Sequence, residues 1–359
     1  MKRLLPLIAS LVAIAGSFVL PSNAPASAAT VPTPERGIAI QLADDAPLAN
    51  LTAAQLAAQS RGTFNYVAKS LHANAVSINF PFYMDAPNSQ FLRAGIGTPT
   101  PSQLASITRV AQRFGLRVQF RPFLSEANFG TPGFETAWRG VISPPDPNAW
   151  IAEYGAFLRP YLIQAKKSGV TSFNIAVELN SLVNQLGAWK AVVQEGRTLY
   201  GGPLIYSGTS IYQSIPQTQF GWDDYTPVTS IPYLGIPIPI DYTATVGQVT
   251  TGFENNLKNE LFPAALSSTR LEEIGISAID GAYQAPWAYY LTGNTDRNIQ
   301  VNWFTAACNA FFDFHMRGIY FWGLELEFYQ PGSTAGDKFQ WYGTAGADAI
   351  ANCFSRTAK

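Results

Sequence analysis

The sequence predicts a single (β/α)8 TIM barrel of the α/β class. Short apolar runs rich in β-branched residues alternate with longer amphipathic stretches, and this alternation is typical of parallel strands joined by helices. About eight such units can be counted along the chain. The roughly 330 residues that follow the N-terminal segment are an ordinary length for one such barrel.

The N-terminal segment, residues 1–29, has the layout of a cleavable secretory signal peptide. Lys2 and Arg3 precede an apolar run over residues 4–20, and a stretch of small residues follows it. The alternative is a membrane anchor, but the run is interrupted and is shorter than the ~20 residues that a spanning helix needs. We therefore expect a secreted protein whose catalytic domain covers residues 30–359, with no membrane span in the mature chain.

The predicted strands end where a barrel carries its chemistry, at the mouth formed by their C-terminal ends. In chain order they are Gly37–Leu42, Ala75–Tyr83, Arg117–Ser125, Ser172–Leu179, Leu204–Thr209, Tyr233–Ile240, Arg270–Ser277 and Gly318–Leu324. The predicted helices include Pro101–Phe114 with Ser102 as its cap, Ala149–Ser168, Trp189–Tyr200, Val246–Ala265 and Ile299–Phe314. The Pro-rich stretches Pro132–Pro147 and Pro216–Pro239 are expected to be long ordered loops over the mouth.

Composition narrows the classes of partner. Charged residues make up 13% of the chain and the formal net charge is −1, which gives no electrostatic reason to expect nucleic acid. Aromatic residues also make up 13%, enough both to fill a core and to stack on sugar rings at a barrel mouth. No phosphate-binding glycine loop or metal cluster is evident, and His72 and His315 are expected to be packing or surface residues. We expect a monomer without a cofactor.

The two cysteines, Cys308 and Cys353, are expected to form a disulfide, because the chain is predicted to be exported. Both fall in helical patterns that would be neighbours near the end of a barrel. Two separate buried thiols are the alternative.

Two glutamates stand out as candidate catalytic groups. Glu178 follows an apolar strand, and Glu273 lies on another strand, on the other side of the barrel, where the pair Glu272-Glu273 is flanked by apolar residues. Glycosidic bond cleavage requires one carboxylic acid to protonate the leaving oxygen and one carboxylate to attack the anomeric carbon. The alternative for each is a salt bridge to a barrel arginine such as Arg121. Glu272 competes with Glu273, but adjacent strand residues point to opposite faces, so we expect only Glu273 to reach the lumen.

Several motifs in the sequence resemble glycoside hydrolase family 113, a family of mannanase-like enzymes in the clan A barrels. The similarity spans nearly all of the mature chain, and the residues that carry it are Val118-Gln119-Phe120-Arg121-Pro122-Phe123, Trp138-Arg139-Gly140-Val141-Ile142, Asp146, Trp150, Tyr154, Glu178, Trp189, Arg197, Tyr200, Gly202, Leu204, Tyr206, Glu273-Ile274-Gly275, Pro286-Trp287, Gly318 and Trp322. The resemblance implies that Glu178 is the acid/base and Glu273 the nucleophile of a retaining enzyme.

The sequence departs from the family pattern in two places. Ala176-Val177 precedes Glu178 where clan A enzymes often have Asn and this family tends to have small polar residues. On the predicted sixth strand, Leu234-Gly235-Ile236 is followed by Pro237-Ile238-Pro239, where the family usually has an Asp and a Tyr that can hydrogen-bond the nucleophile. A missing donor there could raise the pKa of the nucleophile or misplace it.

Other residues are candidates for substrate contact. Arg121 and Arg139 could hold a sugar hydroxyl or orient a glutamate, with a loop-to-barrel salt bridge as the alternative. Residues just beyond strand ends could bind sugar hydroxyls, with a solvated loop residue as the alternative; these are Glu126, Asn180 and Glu325. The tryptophans expected to stack on sugar rings are Trp138, Trp287 and Trp322, whereas those expected in the core are Trp150 and Trp303.

The sequence therefore predicts a secreted retaining glycoside hydrolase that acts on a β-linked oligo- or polysaccharide, and the resemblance suggests β-mannan. A catalytically silent barrel that binds polysaccharide is one alternative, supported by the two departures. A transglycosidase that uses the same glutamates is another.

Overall fold

The computed structural model describes residues 33–43, 48–129, 137–208, 224–227, 244–260, 266–267, 269–284, 286, 291–326 and 329–356. The predicted signal peptide and its boundary at residue 29 lie outside the described residues. Within the described ranges, no helix is both long enough and apolar enough to cross a membrane.

Eight parallel strands form a nearly closed barrel, which confirms the predicted fold class. They are β1 Glu35–Gln41, β2 Ala75–Met84, β3 Arg117–Leu124, β4 Ser172–Val177, β5 Leu204–Gly208, β6 Asp224–Pro227, β7 Arg270–Ile274 and β8 Gly318–Glu325. Their hydrogen-bonded order is β6, β5, β4, β3, β2, β1, β8, β7. Strands β3 and β7 therefore lie on opposite sides of the barrel.

The sixth strand differs from the prediction. Asp224–Pro227 pairs with β5 in parallel, with Tyr225 opposite Tyr206, and so takes the position expected for Tyr233–Ile240. The two prolines of the predicted run, Pro237 and Pro239, cannot donate to a strand ladder, which makes that run a poor candidate for a central strand despite its apolar composition. The residues of the predicted run lie outside the described part of the chain, as do the family departures on it.

Helices lie between the strands. Those described are α1 Ala53–Asn65, α2 Pro101–Arg113, α3 Pro147–Ser168, α4 Leu186–Leu199, α5 Val246–Glu260, α6 Asn298–Asp313 and α7 Ala345–Ser355. The five helices predicted by name all form, and four of them have ends that differ from the prediction by at most three residues. Residues 261–265, at the end of the predicted Val246–Ala265, lie outside the described part of the chain. Trp150 of α3 and Trp303 of α6 are fully buried, which confirms their expected place in the core.

The cap of α2 is Thr100, and the prediction of Ser102 is wrong. Pro101 takes the first helical position, where its missing N–H leaves no bond unmade, so the cap falls on the residue before it. The Thr100 hydroxyl accepts from the Gln103 N–H at 3.3 Å, and the Gln103 side chain accepts from the Thr100 N–H at 2.7 Å. This reciprocal pair is a capping box.

The predicted disulfide forms. Cys308 of α6 and Cys353 of α7 are bonded, with their Cα atoms 5.8 Å apart. These helices follow β7 and β8, which are neighbours in the barrel. The bond therefore ties together the last two βα units.

Candidate active site

Glu178 lies immediately after β4, at the barrel mouth. Its backbone has φ of 53°, a left-handed conformation that is uncommon for a residue other than glycine. The turn is held by the Glu178 N–H, which donates to the carbonyl oxygen of Ser207 on β5 at 2.7 Å. Unfavourable backbone conformations of this kind persist where the surrounding structure enforces them, and they cluster at functional sites. The carboxyl group is thus presented at the end of the strand, and the residue is 9% exposed.

Arg139, on the loop between β3 and α3, faces Glu178. Its Nε lies 3.7 Å from Glu178 Oε2 and 2.8 Å from Glu126 Oε1. The backbone N–H of Arg139 also donates to Glu126 at 3.0 Å, and the guanidinium lies over the ring of Phe123, 5.3 Å from its centroid. Arg139 is therefore held by Glu126, with its Nε beside the Glu178 carboxylate.

Glu273, on β7, pairs with Arg121 from the opposite side of the barrel. Arg121 Nη2 and Glu273 Oε1 form a close ion pair, and the Arg121 side chain is 1% exposed while that of Glu273 is 18% exposed. The Arg121 guanidinium also lies 6.0 Å from the ring centroid of Trp322 on β8. A buried arginine thus holds the Glu273 carboxylate at the edge of the accessible mouth.

Glu272 also lies in the barrel interior, so the prediction that it would point away from the lumen is wrong. Its carboxylate accepts hydrogen bonds from Gln119 at 2.8 Å, Asn174 at 2.9 Å and Ser207 at 2.8 Å. These donors belong to β3, β4 and β5, none of which neighbours β7 in the barrel. These three hydrogen bonds therefore reach across the lumen of the barrel.

An irregularity in β7 explains why two adjacent glutamates both face inward. Leu271 pairs with Ile319 and Ile274 pairs with Phe321, so three steps along β7 match two along β8. The extra residue breaks the strict alternation of side chains on which the prediction depended. Both carboxylates consequently reach Arg121, Glu272 through Nε at 3.4 Å and Glu273 through Nη2.

The electrostatic environment separates the two candidate catalytic glutamates. The pKa of Glu178 is raised to about 7, by burial first and then by the charge of Glu273, with the charges of Arg139 and Arg121 opposing the rise. Glu178 can therefore hold a proton near neutral pH, whereas Glu273 lies against the cation of Arg121. A carboxyl group whose pKa lies near neutral can both give and take a proton, which is what acid/base catalysis requires.

The potential metal ligands of the described residues are dispersed. Across the described residues, no three His, Cys, Asp or Glu side chains are grouped in a way that could hold a metal ion. His72 and His315 are both exposed.

Comparison with known proteins identifies the family. The model of Glycoside Hydrolase Family 113 matches residues 55–344, which is most of the chain. The protein belongs to this family. It is therefore a glycoside hydrolase, and the resemblance seen in the sequence is confirmed.

Solved structures of family 113 enzymes share the fold. A β-mannanase of this family from Alicyclobacillus acidocaldarius, in complex with ManMIm, is 20% identical with a TM-score of 0.70, over 90% of this chain and 97% of that one. A family 113 β-1,4-mannanase is 15% identical with a TM-score of 0.73, over 90% and 99% of the two chains. A GH5_18 enzyme of Streptomyces cattleya, in complex with Manβ1-4GlcNAc, is 12% identical with a TM-score of 0.54, over 91% and 82%. No curated protein sequence matches the chain significantly.

The predicted substrate-contact residues of this family 113 protein have different surroundings. Trp138 is half-buried, and its ring packs closely against Gly140. A Cβ at position 140 would lie 2.3 Å from this ring, so residue 140 has to be glycine for the ring to keep its place. Trp322 is half-buried at the mouth beside Arg121, and Glu325 is half-buried at the end of β8. Trp287 lies outside the described residues.

Asn180 is not the solvated loop residue that its position allowed. It is 1% exposed and begins a short 3-10 turn after Glu178. The Tyr206 hydroxyl donates to its side-chain oxygen at 3.4 Å.

The sequence reasoning missed the polar residues beneath the mouth. Gln119, Asn174 and Ser207 are isolated polar residues within apolar strands, and all three are fully or almost fully buried. A polar side chain inside a buried strand needs a hydrogen-bond partner, so their presence was a signal that an inward-facing polar group would meet them.

Proposed function

We propose that this family 113 protein is a secreted, retaining glycoside hydrolase that cleaves β-linked mannan, with Glu178 as acid/base and Glu273 as nucleophile. The observation that carries the proposal is the contrast between the two glutamates at opposite sides of the mouth. The pKa of Glu178 is raised to about 7, by burial first and then by the charge of Glu273. Glu273 is paired with Arg121 and remains partly accessible.

In the first step, Glu178 donates its proton to the glycosidic oxygen while Glu273 attacks the anomeric carbon. The bond between the anomeric carbon and the leaving oxygen breaks, and an ester to Glu273 forms. Arg121 stabilises the Glu273 carboxylate before attack.

In the second step, Glu178 takes a proton from water, and the water oxygen displaces Glu273 from the anomeric carbon. Esterification removes the negative charge of Glu273, which is the second cause of the raised pKa of Glu178. The pKa of Glu178 therefore falls in the intermediate, when the residue must act as a base. Hydrolysis restores the charge and returns Glu178 to its acid form.

The choice of β-mannan rests on the solved relatives, which include family 113 β-mannanases. The test is incubation of the purified mature protein with β-1,4-mannan, cellulose and xylan, followed by measurement of released reducing sugar. Release from mannan in preference to the other two supports the substrate. Binding to mannan without release, at every pH from 4 to 8, would support the silent polysaccharide-binding barrel instead.

The roles of the glutamates are separated by azide rescue. Glu273→Ala should abolish turnover, and azide should restore it only by forming a glycosyl azide of inverted configuration. Glu178→Ala should spare the first step for aryl glycosides with good leaving groups, which depart without protonation. Azide should then give a product of retained configuration. The opposite stereochemistry in the two products would mean that the roles are reversed.

Hydrolysis and transglycosylation use the same two steps and differ only in the acceptor. Product analysis with mannooligosaccharides at high concentration distinguishes them, since chain lengthening would identify a transglycosidase.

Secretion rests on the sequence of residues 1–29 alone. Expression of the full chain in a secreting host should place the protein in the medium with an N-terminus near Thr30. Retention of Met1 on the recovered protein would contradict cleavage.

A further inference from the structure

Glu272 occupies a site built for a carboxylate in the barrel lumen. The side-chain oxygen of Gln119 accepts from the Ser172 hydroxyl at 3.1 Å, and that of Asn174 accepts from the Ala176 N–H at 3.2 Å. With their oxygens occupied in this way, both amides turn their NH2 groups toward Glu272. The Ser207 hydroxyl adds a third donor at 2.8 Å. An ionised carboxylate, which only accepts hydrogen bonds, satisfies all three of these donors.

The Glu272 carboxylate also forms an ion pair with Arg121, the arginine that pairs with Glu273. Glu272 lies 3.4 Å from Nε of Arg121, while Glu273 takes Nη2. An arginine often presents two nitrogens to one carboxylate in a bidentate pair, and here its nitrogens are divided between two carboxylates. Glu272 has a side chain that is 0% exposed, so it has no route to substrate, whereas Glu273 is accessible.

We propose that Glu272 is a positioning residue that fixes Arg121 and limits how much of its charge acts on Glu273. Held from one side by Glu272, the guanidinium stays in place when Glu273 leaves it to attack the anomeric carbon. Because its charge is shared, it does not hold the Glu273 carboxylate so tightly that attack is suppressed. The proposal rests on Glu273 being the nucleophile.

Among the described residues, the charged groups that interact with this pair lie on β3, on the loop after β3 and at the end of β4. Arg121 on β3 faces both carboxylates, and Arg139 and Glu178 interact with Glu273 through their charges. On β8, the neutral hydroxyl of Tyr320 senses the charge of Glu272. The partners from β4 and β5 are the uncharged Asn174 and Ser207. Removing the charge of Glu272 therefore leaves Arg121 paired with Glu273 alone among the described carboxylates that contact it.

The test is the acid limb of the pH profile of kcat/KM, which reports ionisation of the nucleophile. Glu272→Gln should move this limb to lower pH by about one unit, because the whole charge of Arg121 then stabilises the Glu273 carboxylate. The rate of glycosyl–enzyme formation should fall about tenfold or more, since a carboxylate held more tightly is a weaker nucleophile. KM should change little, because Glu272 does not reach substrate.

Glu35→Gln is the matched control. Glu35 is also a buried glutamate on a barrel strand, where it accepts from Arg270 at 2.7 Å and from Tyr320 at 2.8 Å, but it begins β1 at the opposite end of the barrel. Both variants should lower Tm. Only Glu272→Gln should move the acid limb, and a Glu272→Gln enzyme with lower Tm but an unmoved limb would overturn the proposal.

Ser207→Ala provides a second test if Glu272→Gln does not fold. This substitution removes one neutral donor from Glu272 Oε2, the oxygen that faces Arg121. Glu272 should then interact more strongly with the arginine. The acid limb should then move a few tenths of a unit to higher pH, opposite to Glu272→Gln. No shift, or a shift to lower pH, contradicts the proposal. Full activity of Glu273→Ala would instead refute the proposed function itself.

Discussion

Replacement of Arg139 by methionine should raise the pKa of Glu178 and extend activity to higher pH. The Arg139 Nε lies 3.7 Å from Glu178 Oε2, and its charge lowers the pKa of that carboxyl. At an effective dielectric constant of about 20, a unit charge at this distance corresponds to about 4.5 kcal/mol, or about 3 pKa units. Glu126 lies closer to the same nitrogen, at 2.8 Å, and neutralises much of this charge. We therefore expect a shift of about one unit.

The assay is kcat/KM against pH, because its basic limb reports loss of the proton from the free enzyme's general acid. The sign follows from the charges. Without a cation beside it, the ionised form of Glu178 is less favourable, so the proton is held to higher pH and the basic limb moves up.

Glu126→Gln tests the same reasoning in the opposite direction. It frees Arg139 to act fully on Glu178 and also removes a negative charge that raises the pKa of Glu178. The basic limb should move down. Arg139→Lys, which keeps a positive charge, should move it less than Arg139→Met. Shifts of the same sign in Arg139→Met and Glu126→Gln, or no shift in either, would refute the electrostatic account.

Three further predictions concern stability. Folding raises the pKa of Glu178 from 4.5 to about 7, so the stability that this group contributes is present below about pH 4.5 and is lost as pH rises through 7. Glu178→Gln should therefore raise the free energy of unfolding at pH 8 by up to about 3 kcal/mol and change it little at pH 4.5. Urea denaturation at the two pH values measures both. Cys308 and Cys353 are 45 residues apart, so loop entropy predicts that their replacement by alanine costs about 4 kcal/mol, and denatured, unreduced protein should show no free thiol. Thr100→Ala should cost about 1 kcal/mol by thermal denaturation, whereas Ser102→Ala should stay within about 0.5 kcal/mol, and equal losses would contradict the assigned cap.

The sequence by itself determined the architecture, because its signals are local. Strand and helix bounds follow from runs such as Arg117–Leu124 and Pro147–Ser168, where hydrophobic periodicity is long and clear. The disulfide followed from two helices expected to be neighbours. Strand six was missed because composition alone favoured the apolar, Pro-rich run at Tyr233–Ile240 over the short Asp224–Pro227.

The sequence also indicated the two glutamates of the candidate site, because Glu178 interrupts an apolar pattern and Glu273 lies in a family motif. It could not give their protonation states, since these depend on burial and on charges brought in from distant parts of the chain. Arg139 is 39 residues from Glu178, and Arg121 is 152 residues from Glu273.

Only the tertiary structure decided the place of Glu272. Strict alternation along a strand allows one of two adjacent residues to face the lumen, and nothing in the sequence marks the irregularity between Leu271 and Ile274. The irregularity arises where β7 is fitted against β8 in the barrel, so it is a property of strand pairing. Once both carboxylates face inward, a single buried arginine must serve two anions, and that arrangement exists only in the folded barrel.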